Sequence, residues 1–381
     1  MSDRPRQEPI ESYALLGDMH TAALISRKGS IDWLCFPRFD SGACFAALLG
    51  TEDNGSWQLA PAGAGDCTRR RYRGETMILE TEWETTAGTV RVIDFMPPRG
   101  EAPDVVRIVE GVSGQVEMET TIRVRFDYGG IVPWVRRVDD WLRMIAGPDS
   151  LCLRGPIRLE PEGTSHRARF TIRAGERVPF VLTWQASHLR APRSVDAEQA
   201  LRDTETEWTE WVARCHYDGE WRDAVIRSLA VLKALTYRPT GGIVAAATTS
   251  LPEAIGGERN WDYRFCWLRD ATMTLQALLY AGCTEEAKAW REWLLRAVAG
   301  GARDMQIMYG IGGERRLTEL TLPWLSGYEG STPVRIGNEA SGQFQLDVYG
   351  ELLDALHLDR VSGLSTMDAS WDVQKVVLDE L

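Results

Sequence analysis

The sequence predicts an α+β protein of more than one domain: an N-terminal antiparallel β-sandwich, then a domain of layered helix pairs. Three observations carry this. The chain has 381 residues, too many for one compact core. From Ser12 to about Ser187 the apolar residues recur with a period near two, in short runs broken by Gly, Pro and Asp. Near Ser194 the pattern changes to that of amphipathic helices.

The strand-rich part is expected to cover residues 1–193. In "VEMETTIRVRF" the apolar positions Val116, Met118, Ile122, Val124 and Phe126 mark half-buried antiparallel strands. "SRKGS" at Ser26–Ser30 and "RAGER" at Arg173–Arg177 carry the turn chemistry of hairpins. Residues 194–216 are acidic and amphipathic, with Leu201, Trp208, Trp211 and Val212 toward one side, and predict a linking helix. Residues 217–381 predict about five more helices. "EWRDAVIRSLAVLKALTY" sets Val225, Leu229, Leu232 and Leu235 at helical spacing. "WLRDATMTLQALLYAG" is apolar nearly all round and closes on Gly282, as an inner helix with a glycine stop does. "EEAKAWREWLLRAVAG" turns Trp290, Trp293, Leu294, Ala297 and Val298 inward. Gly312-Gly313 is a hairpin signal. "SGQFQLDVYGELLDAL" returns to helix through Phe344, Val348 and Leu352, with Gln343, Asp347 and Glu351 on one face, and "TMDASWDVQKVVLDEL" starts another.

Composition narrows the function. A formal net charge of −12 repels polyanions, so no nucleic-acid partner is expected, and Arg69–Arg71, Arg123 and Arg125 are expected on solvated sheet faces. No run of about 18 apolar residues occurs, so no membrane span is expected. "MSDRPRQEPIESYALLGD" has no apolar stretch of the secretory kind, which points to the cytoplasm. The seven scattered cysteines then read as reduced thiols, with Cys35 and Cys44 a structural pair. The five histidines form no metal-ligand spacing, and neither a metal nor a cofactor is called for. The 15 tryptophans are the unusual entry, since flat aromatic rings serve both as core and as platforms for sugar rings.

The stretch "NWDYRFCWLRDA" carries the chemistry. If extended, it puts Trp261, Tyr263, Phe265 and Trp267 on one side and Asn260, Asp262 and Arg264 on the other. Helix takes over near Trp267, which places Arg269 and Asp270 in the first turn. Asp270 there is either a carboxylate favoured by the helix dipole or, with the donor fork of Arg269, a clamp for vicinal sugar hydroxyls. A second cluster, Thr321 to Gly350, presents Trp324, Tyr328 and Arg335 on a Gly- and Pro-constrained loop.

Here a resemblance enters. "IESYALLGDMHTAALISRKGSIDWLCFPRFDSGACFAALLG" resembles the N-terminal domain of bacterial glycoside hydrolases of family 15, the glucoamylase and trehalase-like family. "TGGIVAAATTSLPEAIGGERNWDYRFCWLRDA" and "MQIMYGIGGERRLTELTLPWLSGYEGSTPVRIGNEASGQFQLDVYGELLDAL" are similar to the first part of its catalytic domain. The resemblance implies a β-sandwich followed by an (α/α)6 barrel, incomplete in this chain. It implies that Trp267, Arg269 and Asp270 bind the hydroxyls of a terminal glucosyl unit. By the same resemblance Trp324, Tyr328, Arg335 and Asn338 line the mouth and leaving-group side. Two departures are Glu339, where a small residue is usual, and Ala247, where proline is common.

The reaction implied is inverting hydrolysis of an α-glucosidic bond in an α-glucoside or α-glucan, by an acid and a base about 6.5–9.5 Å apart. The resemblance puts both glutamates beyond residue 381, so no catalytic residue is expected in this chain, and Glu380 is not the acid. The expectation is the first part of a longer enzyme, completed by a C-terminal half or a second polypeptide. Two other readings stay open. One is a non-catalytic carbohydrate-binding remnant. The other, ranked last for want of an anion pocket, is a disaccharide phosphorylase.

Overall fold

The computed structural model describes residues 7–298, 305–361 and 368–380. The chain divides into two compact units, Met1–Glu210 with Trp324–Gly330, and Trp211–Pro323 with Ser331–Leu381.

Among the described residues, the first unit is antiparallel β-structure of fifteen strands linked in one hydrogen-bonded network. Its axis is the 20-residue strand Asp104–Arg123. The first half of that strand pairs with Gly88–Phe95 and Arg177–Ala186, and its second half with Ser56–Pro61 and Ser165–Arg173. The sheet thus folds into two leaves that share one strand. Gly111 and Gly114 lie at the change of leaf, where a Cβ would come within 2.0 Å of Arg173 O and 2.1 Å of Ala87 O. The inner faces of both leaves fill one core, with Leu16, Trp57 and Ile122 meeting Val92, Leu153 and Leu182. The outer face of one leaf takes Ala197, Ala200 and Leu201 of helix α1 (Ala197–Val212) against Ile93, Phe95 and Val106.

One expected hairpin is corrected. Arg173–Arg177 is a tight turn, with Glu176 N donating to Arg173 O at 2.9 Å. The strands it joins pair with two halves of Asp104–Arg123 and not with each other. Ser26–Ser30, in contrast, does close a hairpin, between Ala22–Ile25 and Ser30–Cys35. Arg125 is also corrected: it is buried rather than solvated, because Thr164 Oγ1 and the Val124 carbonyl accept its guanidinium protons at 2.7 Å each. Arg107 does similar work deeper in. It is fully buried, and donates to Asp94 Oδ1 at 2.7 Å and to the carbonyls of Trp57 and Gly29 at 2.8 Å. One guanidinium therefore satisfies backbone acceptors as well as a buried carboxylate.

Asp32 makes this unit sensitive to pH. Its carboxylate is buried and accepts from Tyr13 Oη at 2.8 Å and Ser30 Oγ at 2.5 Å. Burial nonetheless pushes its pKa up to about 6, with Glu52 and Glu8 adding to the rise. The folded value lies above the unfolded one, so the folded protein keeps this proton to higher pH. Stability from Asp32 is full below about pH 4 and is lost as pH rises through about 6. Denaturation of wild type and Asp32→Asn in parallel should show wild type losing ground to the variant across that window. A pH-independent difference would show that Asp32 titrates as an ordinary carboxylate.

The second unit contains, among the described residues, helices α2 (Arg222–Ala234), α3 (Leu268–Tyr280), α4 (Thr284–Ala297), α5 (Asp347–Val361) and α6 (Asp368–Glu380). α4 buries Trp290, Trp293, Leu294 and Ala297, the face its spacing predicts. α3 ends before Gly282, whose φ of +83° suits glycine. α3 is less uniformly enclosed than expected, since Met273 and Tyr280 are exposed. α2 buries Ile226, Leu229, Ala230 and Ala234, a face rotated from the one predicted. Gly312-Gly313 forms a turn, but the flanking pairs Met308–Tyr309 and Leu320–Thr321 bond to Cys266–Trp267 and Arg335–Ile336 instead of to each other. α5 begins later than expected. Asn338 caps a 3-10 turn over Glu339–Gly342, and Gln343 after it is extended, so Gln343 and Phe344 precede the helix. None of these helices is long and apolar enough to cross a membrane.

Candidate functional site

A cleft of about 520 Å³ opens in the second unit, lined by Trp261, Tyr263, Trp267, Glu319, Arg335, Asn338, Glu339, Ala340 and Gln343. Alternation explains its aromatic wall. Along Asn260–Trp267 the odd-numbered side chains Trp261, Tyr263 and Trp267 face the cleft, while Phe265 is buried outside the lining. The Tyr263 and Trp267 rings lie 6.0 Å apart at 42°.

The opposite side of this stretch is an interior scaffold. Arg264 and Asp262 form a bidentate pair, Nε to Oδ1 at 2.9 Å and Nη2 to Oδ2 at 2.6 Å, with both side chains essentially inaccessible. Asp262 Oδ2 also accepts from Gly337 N at 3.1 Å, and Asp262 O from Asn338 Nδ2 at 3.1 Å. Asn260 Nδ2 donates to the carbonyls of Gly257 and Pro333. These bonds fasten the 333–338 segment across the floor of the cleft. Gly337 fits there at φ +74°, where a Cβ would sit 1.9 Å from Thr318 O.

Arg335 closes one side. Its guanidinium carbon lies 4.6 Å from the Trp261 ring centroid, and its Nε is 3.0 Å from Glu319 Oε1. Its Nη1 donates to Glu258 O at 2.7 Å. Asn338 is buried with both ends of its amide engaged, since Oδ1 accepts from Ala340 N at 3.0 Å. Glu319 has no distinctive setting in the sequence and was not singled out there. Glu339 lines the cleft and is exposed.

Trp267 supplies an unsatisfied polar group in the cleft lining. It is about nine-tenths buried, caps α3 through its backbone position, and its indole N–H has no acceptor. A buried donor without a partner costs about 1–3 kcal/mol.

Arg269 and Asp270 follow in the first turn of α3, beside the cleft lining rather than within it. Both are partly exposed. The nearer carboxylate to Arg269 is Asp347, with Nη1 to Oδ2 at 3.2 Å, whereas Asp270 Oδ2 lies 4.0 Å from Nη2. Arg269 Nη1 also reaches Gln345 Oε1 at 3.5 Å, and Gln345 Nε2 donates to cleft-lining Gln343 at 3.1 Å. A polar chain thus runs from the cleft to Arg269. The Tyr263 phenol is raised by burial, with the carboxylates of Glu253 and Asp270 adding to the rise.

Trp324 and Tyr328 fall in the first unit. Trp324 Nε1 donates to Tyr128 O at 3.1 Å, Gly327 N to Leu49 O at 2.9 Å, and the Tyr328 hydroxyl to Glu8 O at 3.1 Å. Tyr328 is buried, and Trp324 keeps about half of its surface exposed. The structure therefore gathers Trp267, Arg269, Asp270, Arg335 and Asn338 in one unit and Trp324 and Tyr328 in the other. Among the described residues, no group of three or more His, Cys, Asp or Glu side chains is set to hold a metal ion.

The chain has an antiparallel β-unit and a helical unit, the latter with an aromatic- and carboxylate-lined cleft. A crystal structure of a bacterial glucoamylase complexed with acarbose superposes with a TM-score of 0.61 at 12% identity, covering 100% of this chain and 68% of that one. That likeness concerns the fold. Residues 4–208 match the model "Trehalase-like, N-terminal", and residues 219–380 match "Glycosyl hydrolases family 15". The chain belongs to glycosyl hydrolase family 15, in its trehalase/glucoamylase-like group. A trehalase of Mycolicibacterium smegmatis is 37% identical over 98% of this chain and 60% of its own length. Trehalases of Mycobacterium tuberculosis and Thermoplasma volcanium are 36% and 32% identical, each over 98% of this chain and over 59% and 60% of their own lengths. The chain thus spans about 60% of the length of these relatives.

Proposed function

We propose that the cleft and the adjoining Arg269–Asp270 turn bind the terminal glucosyl unit of an α-glucoside, with trehalose the first candidate. The chain would serve a glycoside hydrolase of the trehalase/glucoamylase type that releases glucose with inversion. The observation that carries this is the buried, partnerless indole N–H of Trp267 at an aromatic-lined cleft. A sugar hydroxyl accepts such a proton, while the ring faces of Trp261 and Tyr263 suit the apolar face of a pyranose. Arg269 donates and Asp270 accepts at the rim, the complement of vicinal hydroxyls. Arg335 and Asn338 hold the wall, the first over Trp261 and the second by capping the 339–342 turn.

The named relatives, all trehalases, favour trehalose over other α-glucosides. The second reading, sugar binding without hydrolysis by this chain, shares the cleft and differs in turnover, so glucose release by the purified chain separates the two. The binding reading itself is tested with Trp267→Phe, which keeps most of the ring and removes the donor. Calorimetry should show trehalose bound about tenfold more weakly by the variant. Equal affinity in variant and wild type would leave the indole N–H without a role in binding.

A further inference from the structure

We propose that Cys215 and Cys283 form an oxidisable dithiol site. The two residues lie 68 positions apart in the sequence, yet their sulfurs are 3.3 Å apart in the fold. Cys215 follows α1 and is partly exposed, whereas Cys283 is buried in the turn between α3 and α4. The backbone holds them together independently of the sulfurs. His216 N donates to Ala281 O at 2.8 Å, and Cys283 N to Leu278 O at 2.8 Å. Gly282, between Ala281 and Cys283, leaves so little room that a Cβ would sit 2.7 Å from His216 Nδ1. Joining the sulfurs therefore asks only for a small side-chain movement, toward a bond of about 2.05 Å.

The surroundings set the order of events. Next to the pair, Glu286 accepts from Lys233 Nζ at 2.6 Å and from Trp211 Nε1 at 2.8 Å. The Cys283 thiol is held protonated by its contact with Cys215, by burial and by the Glu286 carboxylate, while Lys233 opposes this. Cys215, the accessible partner, is the one that meets an oxidant first. With a small disulfide such as oxidised glutathione, the Cys215 thiolate attacks one sulfur and expels a glutathione thiolate. Cys283 then loses its proton and attacks the Cys215 sulfur of the mixed disulfide, expelling the second. Two protein thiols become one disulfide, and two glutathione thiols leave with the two protons and two electrons.

The test incubates the folded chain with oxidised glutathione, followed by non-reducing peptide mass spectrometry. The expected product is one linked peptide pair containing Cys215 and Cys283, with the loss of two hydrogens and no retained glutathione. Closing a 68-residue loop should raise the unfolding midpoint of the oxidised protein by about 5 °C or more, reversibly with reductant. Cys215→Ser should abolish both changes, and Cys283→Ser should stop the reaction at glutathionylated Cys215. A stable mixed disulfide on the unaltered chain would overturn the proposal. So would linkage seen only in denaturant, or unchanged thiols.

Discussion

Asp262→Ala is expected to destabilise the helical unit by about 3–5 kcal/mol, the cost of removing one partner from a buried ion pair. The Arg264 side chain is 1% accessible and has Asp262 as its bidentate carboxylate. The same carboxylate accepts from Gly337 N, so its loss also loosens the segment that floors the cleft. Chemical denaturation of variant and wild type measures the effect, and calorimetry with trehalose should show binding lost alongside it. A loss below about 1 kcal/mol would mean that the guanidinium is satisfied by its other surroundings. Asp262→Asn, which keeps an acceptor for Gly337, is expected to fall between the two.

Asp270→Asn is expected to act in the opposite way, on binding and not on folding. Asp270 is about half exposed and accepts no hydrogen bond from Arg269 at their 4.0 Å separation. A substitution in such a position changes stability by about 0.5 kcal/mol or less. If its carboxylate receives sugar hydroxyls, losing the charge should weaken trehalose binding about tenfold or more, since bonds to charged groups are worth about 1.5–3 kcal/mol. Unchanged affinity would leave Asp270 as a first-turn carboxylate that favours the helix dipole.

Much of this was legible because it is local. Spacing located the inward face of α4 and the aromatic side of Asn260–Trp267, and turn chemistry the hairpin at Ser26–Ser30. What failed was pairing over distance. Turn residues specify that the chain reverses, but not which strand will lie beside it, so Arg173–Arg177 and Gly312-Gly313 read as hairpins and are not. A glycine in an apolar run need not end a strand: Gly111 and Gly114 lie inside a single one, where its partners change. At the site, the polar side of the aromatic stretch gave no sign of its partners, because Gly337 and Asn338 lie some 75 residues away. Glu319 was missed for the same reason: only the fold brings it to Arg335. The attachment of Trp324–Gly330 to the β-unit rests on acceptors at Leu49 and Tyr128, which no local pattern announces.

The shared strand Asp104–Arg123 has a mechanical consequence. The two leaves can separate only if this strand gives up its ladder in one of them, because its first half is bonded in one leaf and its second half in the other. Loss of order in one leaf therefore propagates to its neighbour through a continuous backbone, without relying on side-chain packing to carry it. The β-unit should melt as one body, and its slowest-exchanging amides should cluster along this strand, on both sides of the bend at Gly111.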